Sequence, residues 1–435
     1  PAGHHLLTPF VLAEQQDWFE DEIRYLRRWA ASGATVVDVG ANYGTFSLSL
    51  AKAVGPEGRV LAVEPTPDTA DCLRQSIDAN EASNLELIEV ALADEEGVLH
   101  LRLESDSELN ALTDGPSPDG STVEVQSRTL DSVMEERGWP AVDFLKLDAE
   151  GAEIRILEGA EETLRRSSPL VLFEIKHGAT LNTGLAGAFT GRGFDLFVLV
   201  PGLNVLEPYE LSQELDAFQL NLFACRAETA VGLEERGLLL REPTPLKGEV
   251  SKELLTGWLG RCAYTAHLAP RWRGAGGRKG AAEYLSALEH YSAAHHDKSL
   301  SASQRLAALD RAIELTERSI ELSSTSARMH SLARMLRDRG ARFASVELLV
   351  RLVKEISSGT VELDEPFFPA DPEFDAISPG TEPGLWCLAA AVTARIRSAT
   401  FSSYFARDTT RPALESMGRM GFLSPSFRRR LELLS

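Results

Sequence analysis

The sequence predicts an α/β domain, built on a mostly parallel sheet with helices on both faces, followed by an all-α region. Three observations support this fold class. The 435 residues exceed what one ordinary core accommodates, so two or three domains are expected. In the first half, short β-branched runs alternate with amphipathic stretches, which is typical of a parallel sheet with crossover helices. Beyond residue 280 the apolar positions recur at helical spacing.

Each predicted strand is a short apolar run bounded by turn residues. The seven runs span residues 35–40, 59–64, 85–92, 142–148, 170–175, 194–200 and 217–227. We expect the last two to close the sheet as a hairpin. The helical patterns of this half fall at residues 18–29, 44–53, 67–80 and 151–166.

The domain boundaries follow from the changes of pattern along the chain. An α/β domain is predicted over residues 1–227, and the turn-rich segment 228–280 is interpreted as a helical linker. Residues 281–360 are predicted to form a helical domain. Residues 361–435 contain a Pro-rich connector and the final helices.

The stretch 318–356 has small or apolar residues where the two helices of a pair would meet closely. These residues are Leu332, Ala333, Leu336, Gly340 and Ala344. In this pattern the stretch resembles a tetratricopeptide repeat. Because fewer than three such repeats are not stable alone, we expect the helical domain to pack on the α/β domain or on another copy of the chain.

Composition argues against several classes of partner. The net charge of −21 arises almost wholly from residues 1–226, and such a surface would repel a phosphate backbone, so no nucleic-acid partner is expected. No apolar run approaches the roughly 18 residues of a membrane span, and no leader pattern opens the chain. The four cysteines are far apart without metal-site spacing, which favours a reducing, cytoplasmic location.

The segment VVDVGANYG, residues 36–44, places Asp38 two residues before the first glycine of a turn that joins a strand to a helix. The turn departs from the dinucleotide pattern GxGxxG, because Asn42 occupies the place of a glycine. A pyrophosphate needs exposed N–H groups and no negative charge nearby. Asp38 therefore favours a ligand that is cationic at the turn, and S-adenosylmethionine, which has no phosphate, meets this requirement.

A second carboxylate follows at the end of the next predicted strand, where LAVEP places Glu64. A carboxylate at this position can accept hydrogen bonds from both ribose hydroxyls of an adenosine. Asp38 and Glu64 would then bracket an adenosyl ligand from two adjacent strands. Nicotinamide-dependent oxidoreduction is disfavoured by Asp38 and Asn42.

The sequence carries, in order, DVGANYG, VLAVEP, IEVALADEEGVLHL and DFLKLDAEGAE. Together with their flanks, over residues 18–226, these segments resemble the FkbM family of S-adenosylmethionine-dependent methyltransferases. The resemblance implies the class I methyltransferase fold, a Rossmann-like sheet of seven strands. It also implies a set of cofactor contacts, which are Asp38, Gly40, Ala41, Asn42, Tyr43, Gly44, Glu64, Pro65, Ala91 and Leu92.

The segment FLKLDAEGAE brings three charged residues to the carboxyl end of a strand, where ligands of open α/β sheets bind. Alternation along an extended strand would send Lys146, Asp148 and Glu150 to the same side. A lysine in a buried strand needs a partner, so we expect Lys146 to bridge to one of those acids. One strand later, His177 in FEIKHG is a candidate general base, and Asp148 is the rival base.

Three carboxylates fall at the same predicted edge, those of Asp148, Glu150 and Glu174. An alternative interpretation is that they hold Mg²⁺, which would bind a hydroxyl acceptor and lower its pKa. Carboxylate density alone does not decide between this and a metal-free site.

Methyl transfer from a sulfonium requires alignment of the donor, the methyl group and the nucleophile, and removal of the nucleophile's proton. The resemblance implies O-methylation of a hydroxyl on a sugar, a glycan or another small-molecule natural product. For the helical region, the alternatives are a protein partner that carries the acceptor and a homodimer contact. A non-enzymatic alternative is an adaptor whose methyltransferase fold only senses the cofactor.

Overall fold

A computed structural model of the protein describes residues 6–104, 110–113, 115–116, 121–177, 180–246, 250–359 and 361–434. Within these ranges no helix has both the length and the apolar character that crossing a bilayer requires.

The elements of the first part combine alternating strands and helices, as the sequence predicts, with three series of consecutive strands among the described residues, within 85–128, 170–181 and 195–225. In chain order they are α1 (Leu7–Gln15), α2 (Asp21–Trp29), β1 (Thr35–Val39), α3 (Thr45–Val54), β2 (Arg59–Val63), α4 (Pro67–Ala79), β3 (Leu85–Ile88), β4 (Ala91–Leu92), β5 (Gly97–Arg102), β6 (Ala111–Thr113), β7 (Thr122–Arg128), α5 (Leu130–Arg137), β8 (Phe144–Leu147), α6 (Glu153–Glu158), α7 (Glu161–Ser167), β9 (Leu170–Glu174), β10 (Lys176–His177), β11 (Thr180–Leu181), α8 (Thr183–Gly191), β12 (Asp195–Val200), β13 (Val205–Pro208) and β14 (Asn221–Cys225).

The large sheet has eight strands in the order β13-β12-β14-β9-β8-β1-β2-β3. Strands β3, β2, β1, β8 and β9 pair in parallel, as predicted. Strands β14, β12 and β13 are antiparallel to their neighbours. The predicted sheet, seven-stranded and mostly parallel, is therefore corrected to an eight-stranded mixed sheet. The additional strand β13 is short and ends in Pro208, so its sequence alone is typical of a loop.

A second sheet, absent from the prediction, has the strand order β4-β7-β5-β6. The run 85–92, predicted as one strand, is divided between the two sheets: β3 pairs with β2, whereas Ala91 and Leu92 pair in parallel with β7. A continuous apolar run carries no sign that its partner strand changes. This division places Ala91 and Leu92 beside the strand ends of the large sheet.

The predicted helix over 151–166 is in fact two helices, α6 and α7, separated at Gly159. A Cβ atom at Gly159 would lie 2.1 Å from the carbonyl oxygen of Ala93. The chain therefore passes too close to the start of the second sheet for any side chain at this position.

The elements of the second part are all helical. They are α9 (Ala227–Glu235), α10 (Lys252–Arg261), α11 (Thr265–Leu268), a 3-10 helix (Ala269–Gly277), α12 (Ala281–His296), α13 (Ala302–Leu322), α14 (Ser326–Arg339), α15 (Arg342–Ser357), a 3-10 helix (Pro372–Ala376), α16 (Pro383–Ala399), a 3-10 helix (Ser403–Ala406), α17 (Arg407–Met420) and α18 (Pro425–Leu434).

The predicted helix pair within 318–356 corresponds to the end of α13 and to α14 and α15. Gly340, which joins α14 to α15, has a φ of 95°, a left-handed conformation that favours glycine. The helical region packs on the α/β domain of the same chain, where Arg339 pairs with Glu207 on β13. Its assignment to the tetratricopeptide family stays a prediction.

Candidate active site

A cavity of about 240 Å³ lies at the carboxyl ends of the parallel strands β1, β2, β8 and β9. Nearly all of the predicted site residues line it. They are Asp38, Gly40, Ala41, Asn42, Tyr43, Glu64, Pro65, Ala91, Leu92, Lys146, Asp148, Glu150 and Glu174. Gly44 stands just behind this wall, as the residue that caps α3.

The glycine turn after β1 is shaped by the strand next to it. Gly40 has a φ of 73°, and a Cβ atom there would lie 1.8 Å from the carbonyl oxygen of Asp148. Gly44 has a φ of 84°, and its Cβ atom would lie 2.3 Å from Leu73 Cδ1. Only glycine fits either position, so the turn can bring β1 and the end of β8 together at the cavity.

Asp38 is 1% exposed at the end of β1. Its Oδ2 accepts a hydrogen bond of 2.5 Å from Ser47 Oγ, whereas Oδ1 has no hydrogen-bond partner among the described residues. Lys146 Nζ lies 3.9 Å from Oδ1. Burial raises the pKa of Asp38, and the charge of Lys146 opposes this shift. A buried oxygen on the cavity wall thus retains an unused acceptor position.

Glu64 follows β2 and is also buried. Its two oxygens accept hydrogen bonds from the backbone N–H groups of Asn42 and Thr66, both at 2.9 Å. These bonds fix the carboxylate against the glycine turn, and each oxygen keeps a second lone pair. Burial raises the pKa of Glu64, and the hydrogen bonds from Thr66 counteract it.

Lys146 bridges the two strand ends, as predicted from its buried position in β8. Its Nζ donates to Asp148 Oδ2 at 2.7 Å and lies 5.1 Å from the ring centre of Phe46. Burial would lower the pKa of Lys146, but the charges of Asp148 and Asp38 outweigh it and the pKa is raised. The lysine is therefore a permanent cation at neutral pH.

Asp148, Glu150 and Glu174 offer carboxylate oxygens within 4.8 Å of one another. Lys146, Asp148 and Glu150 all line the cavity, but strand alternation, the predicted reason, is wrong. Strand β8 ends at Leu147, and Glu150 reaches the cavity from a turn in which its φ is 47°. Burial and the charges of Asp148 and Glu150 raise the pKa of Glu174 to about 9.

The turn after β8 is closed by Glu153, whose Oε1 accepts hydrogen bonds from the N–H groups of Ala149 and Gly151, both at 3.0 Å. Glu153, the first residue of α6, thus stabilises this turn, while Glu150, three positions earlier, lines the cavity.

His177 lies in β10, where it pairs with Thr180. Its side chain falls outside the described part of the structure, so the candidate base from the sequence is not located relative to the cavity.

Sequence reasoning missed Glu20, which stands at the start of α2 and lines the cavity. Its carboxylate accepts hydrogen bonds from Trp18 Nε1 and Asn221 Nδ2, both at 2.8 Å. Burial raises its pKa, and the charge of Lys146 opposes the shift. In sequence Glu20 belongs to an acidic start of a helix, and nothing local indicates that this segment lies beside strand ends far along the chain.

Comparison with known proteins identifies the family of the segment that carries most of the cavity residues. Residues 38–196 match the family model described as the methyltransferase FkbM domain. This part of the chain is an FkbM methyltransferase domain. The match covers the cavity residues on β1, β2, β4, β8 and β9 and lies within the range of the resemblance found in the sequence.

The proteins that this chain matches differ in how much of their own length the match covers. Methyltransferase sdnD of Sordaria araneosa is 28% identical over 195 residues, which cover 38% of this chain and 75% of that protein. The AMB antimetabolite synthetase AmbE of Pseudomonas aeruginosa is 26% identical over 319 residues, 60% of this chain and 14% of that protein. The crystal structure of a methyltransferase FkbM from Methylobacillus flagellatus has 19% identity and a TM-score of 0.31, covering 45% of this chain and 44% of that one.

Proposed function

We propose that the FkbM methyltransferase domain transfers a methyl group from S-adenosylmethionine to a hydroxyl of a small molecule, such as a sugar, a glycan or another natural product. The observation that carries this proposal is the pair of buried carboxylates, Asp38 and Glu64, on the wall of one cavity at the ends of adjacent strands. The relative AmbE is named an antimetabolite synthetase, which supports a small-molecule acceptor.

The charge of the cavity wall fits a phosphate-free cofactor. Lys146 is the only lysine or arginine among the described lining residues, and its charge is shared between Asp148 and Asp38. A pyrophosphate would face an acidic wall without a free cation, which is unfavourable.

The individual residues also fit S-adenosylmethionine. The unused Oδ1 of Asp38 can accept from an ammonium, and the remaining lone pairs of Glu64 can accept from ribose hydroxyls. The buried side chains of Ala91 and Leu92 offer apolar surface for an adenine.

When bound, the cofactor supplies a methyl group on a sulfonium. The chain must then hold the acceptor in line and remove its proton. Asp148, which lines the cavity and is held by Lys146 at 2.7 Å, is the proposed base. Glu174, with a pKa of about 9, is protonated at neutral pH and serves as a hydrogen-bond donor. His177 remains the rival base.

Mg²⁺ is the second arrangement that suits the same carboxylates, because oxygens of Asp148, Glu150 and Glu174 approach within 4.8 Å of one another. A metal would keep all three ionised and bind the acceptor hydroxyl, whereas the metal-free site relies on Asp148 alone. Turnover after chelation with EDTA, with and without added Mg²⁺, separates the two.

The adaptor alternative is not favoured, since the FkbM domain match includes every strand that builds the cavity. The predicted domain boundaries after residues 227, 280 and 360, the cytoplasmic location, and a homodimer or protein partner of the helical region stay proposals. Light scattering of the purified chain tests the homodimer directly.

Calorimetric titration of the full chain with S-adenosylhomocysteine and with NADH tests the cofactor. We expect micromolar binding of S-adenosylhomocysteine only. Because each carboxylate offers charge-assisted hydrogen bonds, Asp38→Asn and Glu64→Gln should each lower the affinity for S-adenosylhomocysteine about tenfold or more. Glu57→Gln, in the exposed loop before β2, is the matched control. Binding of NADH with equal or higher affinity would refute the proposal.

A further inference from the structure

A second, larger cavity of about 630 Å³ lies between the α/β domain and the helical region. Trp18, Phe19, Glu20 and Leu220 line both cavities, so the two adjoin at the carboxyl ends of the parallel strands. One wall consists of α/β residues and the segment before α2, and the other of residues from α10, α12, α14, α15, α16 and α18 with their connecting segments. The helical region thus completes a space that adjoins the candidate active site.

Most of the arginines that line the second cavity are already neutralised. Arg334 makes a two-pronged contact with Asp375 at 2.8 and 2.9 Å. Arg337 pairs with Asp338 at 2.7 Å, and Arg397 pairs with Asp371 at 2.8 Å. These pairs build the wall of the cavity and leave little charge for a ligand.

Arg342 is different, because its guanidinium makes no direct ion pair. Its Nε and Nη2 donate to the carbonyl oxygens of Ser398 and Arg397 at 2.6 and 3.2 Å. The guanidinium also lies over the rings of Phe218 and Phe401, 4.8 and 4.3 Å from their centres. Among the described residues, no carboxylate lies within 4.0 Å of it. The positive group is therefore fixed in orientation on the wall without a direct ion pair. Burial lowers its pKa, and the more distant charges of Asp21, Asp216 and Glu22 oppose this shift.

Arg430, on α18, lines the same cavity and is 3% exposed. Its Nη1 has no hydrogen-bond partner among the described residues. Its nearest acid is Glu14, at 3.6 Å from Nε, and that carboxylate already accepts hydrogen bonds from Ser402 and Ser403. Burial of an unsatisfied guanidinium N–H is costly, and an anion in the cavity would satisfy it.

We propose that this second cavity binds the methyl acceptor, and that the acceptor is a hydroxylated small molecule whose carboxylate or phosphate is held by Arg342 and Arg430. The hydroxyl to be methylated points past Trp18 and Glu20 towards Asp148. This inference rests on the proposed methyltransferase function, and it gives the helical region the role of forming half of the acceptor site.

Glu22, an acid of the α/β wall, is compatible with such a ligand. Burial and the charge of Glu20 raise the pKa of Glu22 to about 8, so Glu22 is largely protonated at neutral pH. A neutral carboxyl can donate and accept hydrogen bonds with sugar-like hydroxyls, and it does not repel an anion bound at Arg342, whose charge Glu22 is near enough to affect.

Calorimetric titration of the full chain, with and without saturating S-adenosylhomocysteine, tests the inference with three probes: D-glucuronate, D-glucose and inorganic phosphate. We expect glucuronate or phosphate to bind at least about tenfold more tightly than glucose. Binding of glucuronate alone identifies a carboxylate site, and binding of phosphate alone identifies a phosphate site. If neither anion binds more tightly than glucose, the inference is wrong.

Variants of the two arginines test where the anion binds. Arg342→Met and Arg430→Met should each lower the affinity for the anion about tenfold or more. Arg342→Met should leave the affinity for S-adenosylhomocysteine unchanged. Arg351→Met, on the exposed face of the same helix α15, is the matched control. Because Arg430 is buried, the thermal midpoint of its variant is measured first, and Arg342→Met decides the outcome alone if that variant does not fold. Unchanged anion binding by Arg342→Met would overturn the inference.

The two proposals fail in different ways. If the chain binds an anion through Arg342 but not S-adenosylhomocysteine, the cofactor assignment is wrong and the anion site stands. If S-adenosylhomocysteine binds and the anions do not, the acceptor assignment is wrong and the methyltransferase proposal stands.

Discussion

At the scale of single residues, Lys146 offsets the negative charge of the carboxylates in the candidate active site. It is 7% exposed and lies between the buried carboxylate of Asp38 and the partly exposed one of Asp148. Burial of a charge is stabilising only when a partner offsets the loss of hydration. The lysine therefore has two effects: it stabilises the fold by compensating Asp38, and it keeps Asp148 oriented at the cavity.

Replacing Lys146 by methionine should lower the free energy of unfolding by about 3 kcal/mol, because Asp38 is left buried without its cation. Urea denaturation at pH 7 measures this loss. In the double variant Asp38→Asn with Lys146→Met, the loss should be smaller than the sum of the two single losses, since no buried charge is left behind. Additive losses would show that the two side chains are not coupled.

At the scale of elements, the turn between β12 and β13 fixes the sheet to the helical region. The N–H of Gly202 donates to the carbonyl oxygen of Asp338 on α14 at 2.8 Å. A Cβ atom at Gly202 would lie 2.2 Å from Asp338 Cβ. The glycine therefore permits close contact between the hairpin and the helix that carries Arg334 and Arg337 into the second cavity.

Gly202→Ala should force α14 away from the hairpin and lower the free energy of unfolding by about 2 kcal/mol. Gly232→Ala, on α9, is the matched control: no heavy atom lies within 4 Å of its added Cβ, so a slight gain in stability is expected. Thermal unfolding of both variants measures the difference. Equal stability of the two variants would contradict the close contact at Gly202.

At the scale of the whole molecule, the α/β domain and the helical region share one core. Val200, Leu203 and Val205 of the β12–β13 hairpin belong to the same buried apolar cluster as Leu332 and Leu336 of α14. Removing the helices would expose this surface to water, at a cost of roughly 25 cal/mol for each Å² of apolar area. The two parts are therefore expected to depend on each other for stability.

A chain that ends at residue 246 should aggregate or lose its sharp thermal transition, while the full chain unfolds in a single step. Size-exclusion chromatography and circular dichroism compare the two. A soluble, monomeric fragment with an unchanged thermal midpoint would show that the α/β domain is independent of the helices.

The sequence by itself determined the features that depend on neighbours along the chain. The glycine turn with Asp38, the strand end with Glu64, the pairing of Lys146 and most helices are set by local periodicity and turn chemistry, which one sequence displays. These were enough to identify the methyltransferase domain and the wall of its cavity.

Only the tertiary structure decided which distant segments meet. It added β13 and the second sheet, placed Glu20 beside Asn221, and brought Arg342 and Arg430 to one cavity beside the strand ends. These contacts depend on where the chain returns after long connections and on which partner excludes water at each surface. No local pattern records either condition, because residues hundreds of positions apart contribute to the same burial.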